Sequence, residues 1–177
     1  MNLKYNENFI LYNVEPAWEH NYIDKDKHWK HFEEICEILN KTKKKIVLSL
    51  HPLCEFKNYK YVIKKFNFRI STKFKIFDLL PHCLFVVSHF CTTNLLANKL
   101  GKKTLVVDLT NVSTIEGFST DGFKRSKNSM IVKSYPVLQS VINHEILKKK
   151  NIISKNPFLE SSKIIFNKFQ EINLENA

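Results

Sequence analysis

Glycine, proline and arginine are scarce in this chain of 177 residues, which has 3 glycines, 5 prolines and arginine only at positions 69 and 125. So little glycine and proline excludes collagen-like, linker-rich and low-complexity architectures. No apolar run approaches the roughly 18 residues that a membrane-spanning helix needs. The polar residues 1–8 also lack the apolar core of a secretory signal, so the protein is expected to be cytoplasmic.

Cysteine is also sparse, and its four copies at positions 36, 54, 83 and 91 are scattered along the chain. No two of them have the C-x-x-C spacing that structural zinc sites prefer. The spacing therefore predicts reduced thiols rather than a disulfide framework or a metal centre.

Acidic residues are few relative to basic ones, with 17 Asp and Glu against 28 Lys and Arg and a net charge of +11. Readers of DNA sequence depend on the bidentate fork of arginine, which lysine cannot supply, so no nucleic-acid partner is expected. The net charge alone leaves non-specific nucleic-acid binding as a third alternative function. The lysine excess equally fits the composition of an AT-rich genome, an anionic small-molecule ligand or an acidic membrane surface.

Hydrophobic residues make up 44% of the chain, enough for the core of one ordinary domain. Short apolar runs alternate with stripes of helical period, which predicts a doubly wound parallel α/β sheet of the Rossmann-like type. The predicted strands are 8–13, 46–50, 68–71, 84–87, 104–108 and 130–133. The first predicted helix has Asp26 as its N-cap and an apolar stripe from Trp29 to Leu39. The other predicted helices are 59–66, 74–80, 94–100, 136–149 and 157–172. Residues 109–128 receive no assignment. Residues 1–150 are expected to form the α/β domain, and 151–177 a hinge and a helix that packs back on it.

Polar side chains follow three of the predicted strands at the point where each strand ends. Asn13 and Glu15 follow the first strand, His51, Pro52 and Glu55 the second, and Ser88 and His89 the strand 84–87. In a doubly wound sheet, ligands bind outside the carboxyl ends of the strands, where the strand order reverses. These groups are therefore expected to share one edge of the sheet.

Thr92 and Thr93 open a helix directly after the strand 84–87. A helix start exposes unpaired N–H groups and the positive end of the helix dipole, so it attracts phosphate. The alternative is that Thr92 only caps its own helix. His51, whose backbone is restricted by Pro52, could donate to a phosphate, or it could be an ordinary surface histidine.

Two motifs carry a family resemblance. The first motif is His51-Pro52-x-x-Glu55. The second is Val87-Ser88-His89-Phe90-Cys91-Thr92-Thr93, followed by a helix that ends Leu100-Gly101-Lys102. Both resemble motifs of bacterial proteins of capsule and lipooligosaccharide biosynthesis. In those proteins the motifs lie in the nucleotide-binding half of a GT-B-type glycosyltransferase fold. The wider superfamily includes the sialic-acid-polymer transferases and the non-hydrolysing UDP-N-acetylglucosamine 2-epimerases. The similarity covers residues 8–149.

The resemblance implies transfer of a sugar from a CMP- or UDP-linked donor to a glycan or lipid-linked acceptor, with no metal and no other cofactor. It implies nucleotide- or phosphate-binding roles for His51, Pro52, Glu55, Ser88, Cys91, Thr92 and Thr93. Glu15 is the candidate catalytic base from its place after the first strand, and a solvated loop residue is the alternative. The expected location is the cytoplasm, with peripheral contact at the inner membrane.

The sequence departs from the family pattern in the helix after Thr93. Leu96 precedes Ala97 where an acidic residue is usual, and Lys103 stands where proline is expected. Leu95 and Leu96 fill the positions of the paired carboxylates of the epimerases. A GT-B enzyme closes its site between two domains, and this chain supplies one, so an amino-terminal partner domain is expected. A truncated or non-catalytic binding module and an epimerase-like protein remain the alternatives.

Overall fold

A computed structural model describes residues 8–72, 76–109 and 126–150 of the chain, with only the backbone described at 149 and 150. Within these residues, six parallel strands form one sheet in the order β3-β2-β1-β4-β5-β6. The strands are β1 (Phe9–Val14), β2 (Lys45–Leu50), β3 (Arg69–Ser71), β4 (Cys83–Ser88), β5 (Thr104–Val107) and β6 (Ser129–Val132). The predicted doubly wound α/β fold is confirmed.

The connections between the strands are mostly helical. The helices are α1 (Lys25–Lys41), α2 (Phe56–Tyr59), α3 (Tyr61–Phe66), α4 (Ile76–Leu79), α5 (Thr92–Lys99) and α6 (Tyr135–Lys150), and a 3₁₀ turn, Leu80–His82, follows α4. None of the helices in the described ranges is both long enough and apolar enough to cross a bilayer. The predicted hinge and helix in 151–177, and residues 110–125 of the unassigned segment, lie outside the described residues.

Strand β1 lies at the centre of the sheet, and all six of its residues are buried. Its side chains alternate between the two faces of the sheet because a strand has a period of two. On one face Tyr12 stacks on Phe32 of α1, with ring centroids 5.8 Å apart. On the other face Leu11 belongs to a core cluster with Leu79 and with Ala97 of α5. Helices therefore cover both faces, as the apolar central strands require.

The chain divides into two compact units, Met1–Asn143 and His144–Ala177. The first unit contains the whole sheet and the helices α1 to α5. In the second unit the described residues are the last turns of α6. The four cysteines all fall in the first unit and none is disulfide-bonded.

The start of α1 differs from the sequence prediction, because Asp24 and not Asp26 is the N-cap. The Oδ1 atom of Asp24 accepts a hydrogen bond of 2.7 Å from the backbone N–H of Lys27. Asp26 lies in the first turn, where its negative charge interacts favourably with the positive end of the helix dipole. Both aspartates suit a helix start, and only the backbone conformation of residue 24, which is extended, decides between them.

Replacement of Asp24 by alanine is expected to lower the free energy of unfolding by about 1 kcal/mol, because one N–H group of α1 loses its acceptor. Chemical denaturation followed by circular dichroism measures this change. Asp24→Asn is the matched control, since asparagine caps as well as aspartate. Equal losses in the two variants would contradict the capping assignment.

Candidate functional site

The strand order reverses between β1 and β4, which are neighbours in the sheet but far apart in sequence. The register pairs Asn13 with Ser88 on one side of β1 and Val14 with Leu50 on the other. The residues that follow β1, β2 and β4 therefore lie at one edge, as expected from the sequence. The strands β2 and β4 are two spacings apart, roughly 10 Å. The backbone of His51 and the start of α5 thus lie at the same edge of the sheet.

The start of α5 has no side-chain cap. Cys91 is the N-cap residue, with an extended backbone (φ −150°, ψ 157°), and its side chain makes no capping hydrogen bond. Thr92 is the first helical residue, so its interpretation as the cap of this helix is wrong. Thr92 is exposed and Thr93 is half-buried. The backbone N–H of Asn94 donates to the carbonyl of Cys91 at 3.1 Å. The N–H groups of Thr92 and Thr93, together with the positive end of the helix dipole, are therefore the donors of this turn that an anion can use.

The turn between β4 and α5 is held by Asn94, a residue that the sequence motifs did not single out. The Oγ atom of Ser88 donates to Oδ1 of Asn94, and Nδ2 of Asn94 donates to the carbonyl of His89 at 2.7 Å. The side chains of Ser88 and Asn94 are fully buried. The hydroxyl of Ser88 therefore positions the turn and does not face solvent. The signal in the sequence is weak, because asparagine in a first helical turn is common.

A second contact joins the two strands at the reversal. Nδ2 of Asn13 donates to Sγ of Cys91 at 3.3 Å, across 78 residues of sequence. Burial, and secondarily the nearby Glu15, raises the pKa of the Cys91 thiol. The thiol is therefore neutral at physiological pH, and its sulfur acts as a hydrogen-bond acceptor.

His51 follows β2, and its backbone N–H donates to the carbonyl of Val14 at 3.3 Å. Its Nδ1 atom accepts from the N–H of Leu53 at 3.2 Å, which leaves the proton of the neutral ring on Nε2. Burial, and secondarily His20, lowers the pKa of His51. The rings of His20 and His51 meet edge to face with centroids 5.9 Å apart. His51 thus offers a neutral N–H donor in a restrained orientation.

Pro52 and Glu55 lie on the same loop as His51, and both are exposed. The Glu55 carboxylate accepts a hydrogen bond from Lys57 at 2.8 Å, and this bond holds the pKa of Glu55 below its usual value. Glu55 is therefore an anion, a group suited to accept from hydroxyls rather than to contact phosphate.

A small cavity of about 30 Å³ lies beside the carboxyl end of β1, large enough for a water molecule but not for a nucleotide. Glu15, His28, His31 and His89 are among the residues that line it. Two buried atoms of this lining, Oε2 of Glu15 and Nε2 of His31, have no hydrogen-bond partner among the described residues. The lining of the cavity therefore combines two unsatisfied polar atoms with apolar side chains.

Burial governs the protonation of this lining. It raises the pKa of Glu15 to about 7 and lowers the pKa values of His28 and His89 to about 4. His28 Nε2 lies 3.2 Å from the hydroxyl of Tyr59, and Nδ1 of His89 donates to the carbonyl of Val107 at 3.0 Å. Both histidines are therefore neutral near pH 7, whereas Glu15 exchanges its proton there.

The last part of the second motif has a structural role at the opposite edge of the sheet. Nζ of Lys102 donates to the carbonyls of Pro81 and Cys83, at 2.8 and 3.0 Å, where β4 begins. Gly101 has a positive φ of 69°, which suits the end of α5. Leu96, one of the departures from the family pattern, packs against the apolar core cluster. These residues stabilise the fold and do not reach the carboxyl edge.

No protein-family model and no curated protein sequence matches the chain. Among solved structures, the UDP-GlcNAc 2-epimerase of Methanocaldococcus jannaschii in complex with UDP-GlcNAc and UDP matches 94% of this chain, with a TM-score of 0.56 and 17% identity. Another structure of that epimerase matches 77% of this chain, with a TM-score of 0.52 and 16% identity. The wall teichoic acid polymerase TagF matches 99%, with a TM-score of 0.50 and 14% identity.

These matches cover 46%, 38% and 44% of the other chains, so this chain spans less than half of their length. Identities of 14–17% carry information on the fold and not on the ligand. The chain has a Rossmann-like α/β fold, which it shares with part of a UDP-GlcNAc 2-epimerase and part of a wall teichoic acid polymerase.

Proposed function

We propose that this chain binds the nucleotide part of an activated sugar at the carboxyl edge of its sheet, as the donor half of a glycosyltransferase in bacterial surface polysaccharide assembly. The observation that carries the proposal is the uncapped start of α5 on the same edge as the neutral N–H donor of His51. The epimerase that matches in fold was solved with UDP-GlcNAc and UDP, which favours the same ligand class here.

The proposed phosphate site consists of backbone N–H groups, hydroxyls and an imidazole. Thr92 and Thr93 provide the helix start, and Nε2 of His51 donates from the neighbouring strand end. The helix dipole and these donors would stabilise the negative charge that develops on the departing nucleotide. The net charge of +11 favours the approach of an anionic donor.

The remaining motif residues have supporting roles in this proposal. Pro52 restricts the backbone of His51, and Ser88 and Cys91 position the turn before α5. The charged carboxylate of Glu55 is the group suited to a ribose hydroxyl.

Glu15 is the proposed general base. One of its carboxylate oxygens has no partner among the described residues, and its pKa of about 7 suits proton transfer at neutral pH. The acceptor hydroxyl would attack the anomeric carbon, the bond from that carbon to the phosphate oxygen would break, and the proton of the hydroxyl would pass to Glu15. The acceptor is a glycan or a lipid-linked sugar.

A second candidate is a binding module that works with an amino-terminal partner domain, either in a longer chain or in a separate protein. The observation that favours it is the match to less than half of the epimerase and polymerase structures. In either case residues 1–150 would form the nucleotide-sugar-binding domain, and 151–177 a hinge and helix. The lysine excess favours peripheral contact with an anionic inner membrane.

The nucleotide site predicts measurable binding of UDP-linked or CMP-linked sugars by isothermal titration calorimetry. Thr93→Ala and His51→Ala should each weaken binding by roughly 10-fold or more, because a hydrogen bond to a charged group contributes about 1.5–3 kcal/mol. His82→Ala is the matched histidine control, since His82 immediately precedes β4 at the opposite edge of the sheet.

Wild-type protein that binds neither class of nucleotide sugar would contradict the proposal. The site assignment would also fail if Thr93→Ala and His51→Ala bound as tightly as His82→Ala.

The raised pKa of Glu15 predicts a pH dependence of stability. The folded state holds this proton up to about pH 7 and the unfolded state releases it near pH 4.5, so the stability that the proton brings is lost as pH rises between those values. Glu15→Gln should therefore be more stable relative to wild type at pH 8 than at pH 5, by about 2 kcal/mol. Denaturation at both pH values measures the difference.

Glu37→Gln is the control, because Glu37 is an exposed carboxylate on α1. The same pH response in Glu15→Gln and Glu37→Gln would refute a buried, proton-exchanging Glu15. The histidines act in the other direction: the lowered pKa values of His28 and His89 remove stability as pH falls from 6.5 towards 4.

A further inference from the structure

A groove of about 310 Å³ lies between α1 and the short helices α2 and α3, outside the site described above. Its lining is Lys25, Trp29, Glu33, Asn58 and Tyr61. We infer that this groove, the α1–α3 groove, binds a pyranose ring of a glycan. Its volume falls at the lower end of the range of about 300–1,000 Å³ that small-molecule sites have.

The helical period explains why these residues share a groove. Lys25, Trp29 and Glu33 are four residues apart, so they form one stripe along α1. The opposite wall comes from the chain after β2, where the break at Lys60 between α2 and α3 places Asn58 and Tyr61 beside that stripe. None of the five side chains belongs to the fully buried core.

The aromatic rings of the groove suit a sugar better than a nucleobase. The ring centroids of Trp29 and Tyr61 are 6.3 Å apart, and the ring planes make an angle of 61°. Two rings so inclined cannot sandwich a flat base by stacking on both of its faces. A pyranose ring is puckered and carries C–H groups in several directions, so it can contact both aromatic surfaces.

The polar groups around the rings are those that sugar hydroxyls need. Oε1 and Oε2 of Glu33 accept from the Tyr61 hydroxyl at 3.0 Å and from Lys65 at 2.6 Å. These bonds hold the carboxylate in place, and each of its oxygens has a further lone pair that can accept from a ligand hydroxyl. The carboxamide of Asn58 makes no hydrogen bond within the described ranges, so it can donate and accept.

The position of the groove relates it to the proposed transfer reaction. The α1 wall begins just after the loop that carries Glu15, and Nζ of Lys25 lies 5.3 Å from the centre of the Trp18 ring in that loop. The other wall begins just after the loop that carries His51. A glycan in the groove would therefore lie next to the two loops that flank the proposed transfer site, and we assign it as the acceptor. That identification rests on the proposed function, whereas saccharide binding itself does not.

The two tryptophans of the chain, Trp18 and Trp29, provide the test. Trp18→Phe leaves Trp29 as the sole indole reporter. Titration of this variant with maltotriose and with N,N′,N″-triacetylchitotriose should give a saturable change in fluorescence with at least one of them. Asn58→Ala in the same background should weaken that binding by 10-fold or more. Asn40→Ala, an exposed asparagine at the far end of α1, is the matched control.

The inference is overturned if neither trisaccharide changes the fluorescence, or if Asn58→Ala and Asn40→Ala bind alike while circular dichroism shows both folded. It is also overturned if UDP competes with the trisaccharide, because the groove would then be a nucleotide site. A separate titration with UDP tests the proposed nucleotide site. UDP binding without trisaccharide binding refutes this inference alone, and trisaccharide binding without UDP binding supports it while refuting the proposed nucleotide site.

Discussion

The parallel pairing of β1 with β4 is the contact on which the candidate site depends. It places the ends of two strands that are distant in sequence next to each other and creates the reversal of strand order. Without it, the helix start at Thr92 and the loop at His51 would not share an edge. The hydrogen bond from Asn13 to Cys91 and the buried link from Ser88 to Asn94 restrain that edge locally. Apolar pairing thus sets the position of the polar groups, which contribute little to the core themselves.

Burial separates the electrostatic roles of the two edges of the sheet. At the edge where the strands begin, the ammonium group of Lys102 donates hydrogen bonds to two backbone carbonyls and so stabilises the fold. At the carboxyl edge, the donors are neutral or belong to the backbone, namely the imidazole of His51 and the first turn of α5. In the proposed site, a ligand phosphate would therefore be bound by oriented dipoles. Glu15 differs from these donors, because burial raises its pKa to about 7 and the carboxyl group keeps its proton up to neutral pH.

The likeness to solved structures supports the fold, whereas the candidate site is supported by residues of this chain alone. At identities of 14–17%, the likeness to the epimerase and polymerase structures carries the architecture but not the chemistry. Leu96 illustrates the difference, since its partly buried side chain packs against the core cluster at a position where an acidic residue is usual in the family that the sequence resembles. The case for a nucleotide sugar therefore depends on this chain's own strand ends, and the case for a glycan on the α1–α3 groove.

The spacing of apolar residues along the sequence was enough to predict most of the strands and helices. The period of the apolar residues located the six strands and most of the described helices to within a few residues, because burial on a sheet face or a helix stripe repeats over short distances. It predicted one helix over 59–66 where the structure has α2 and α3, and the predicted helix 157–172 lies outside the described residues. The boundaries were less accurate, as Asp24 in place of Asp26 and the earlier start of α5 show. Neighbouring residues of similar capping ability compete there, and the sequence holds no information on which adopts the extended backbone.

Which polar groups meet was decided only by the tertiary structure. The contact of Asn13 with Cys91 spans 78 residues, and that of His31 with Tyr135 spans 104. The clustering of His28, His31 and His89 beside Glu15, and the facing of Trp29 with Tyr61, likewise join separate elements. A residue's type and its near neighbours do not encode such distances. The pKa of a buried group follows from the surroundings that these contacts create, so protonation states could be assigned only after the sheet had assembled.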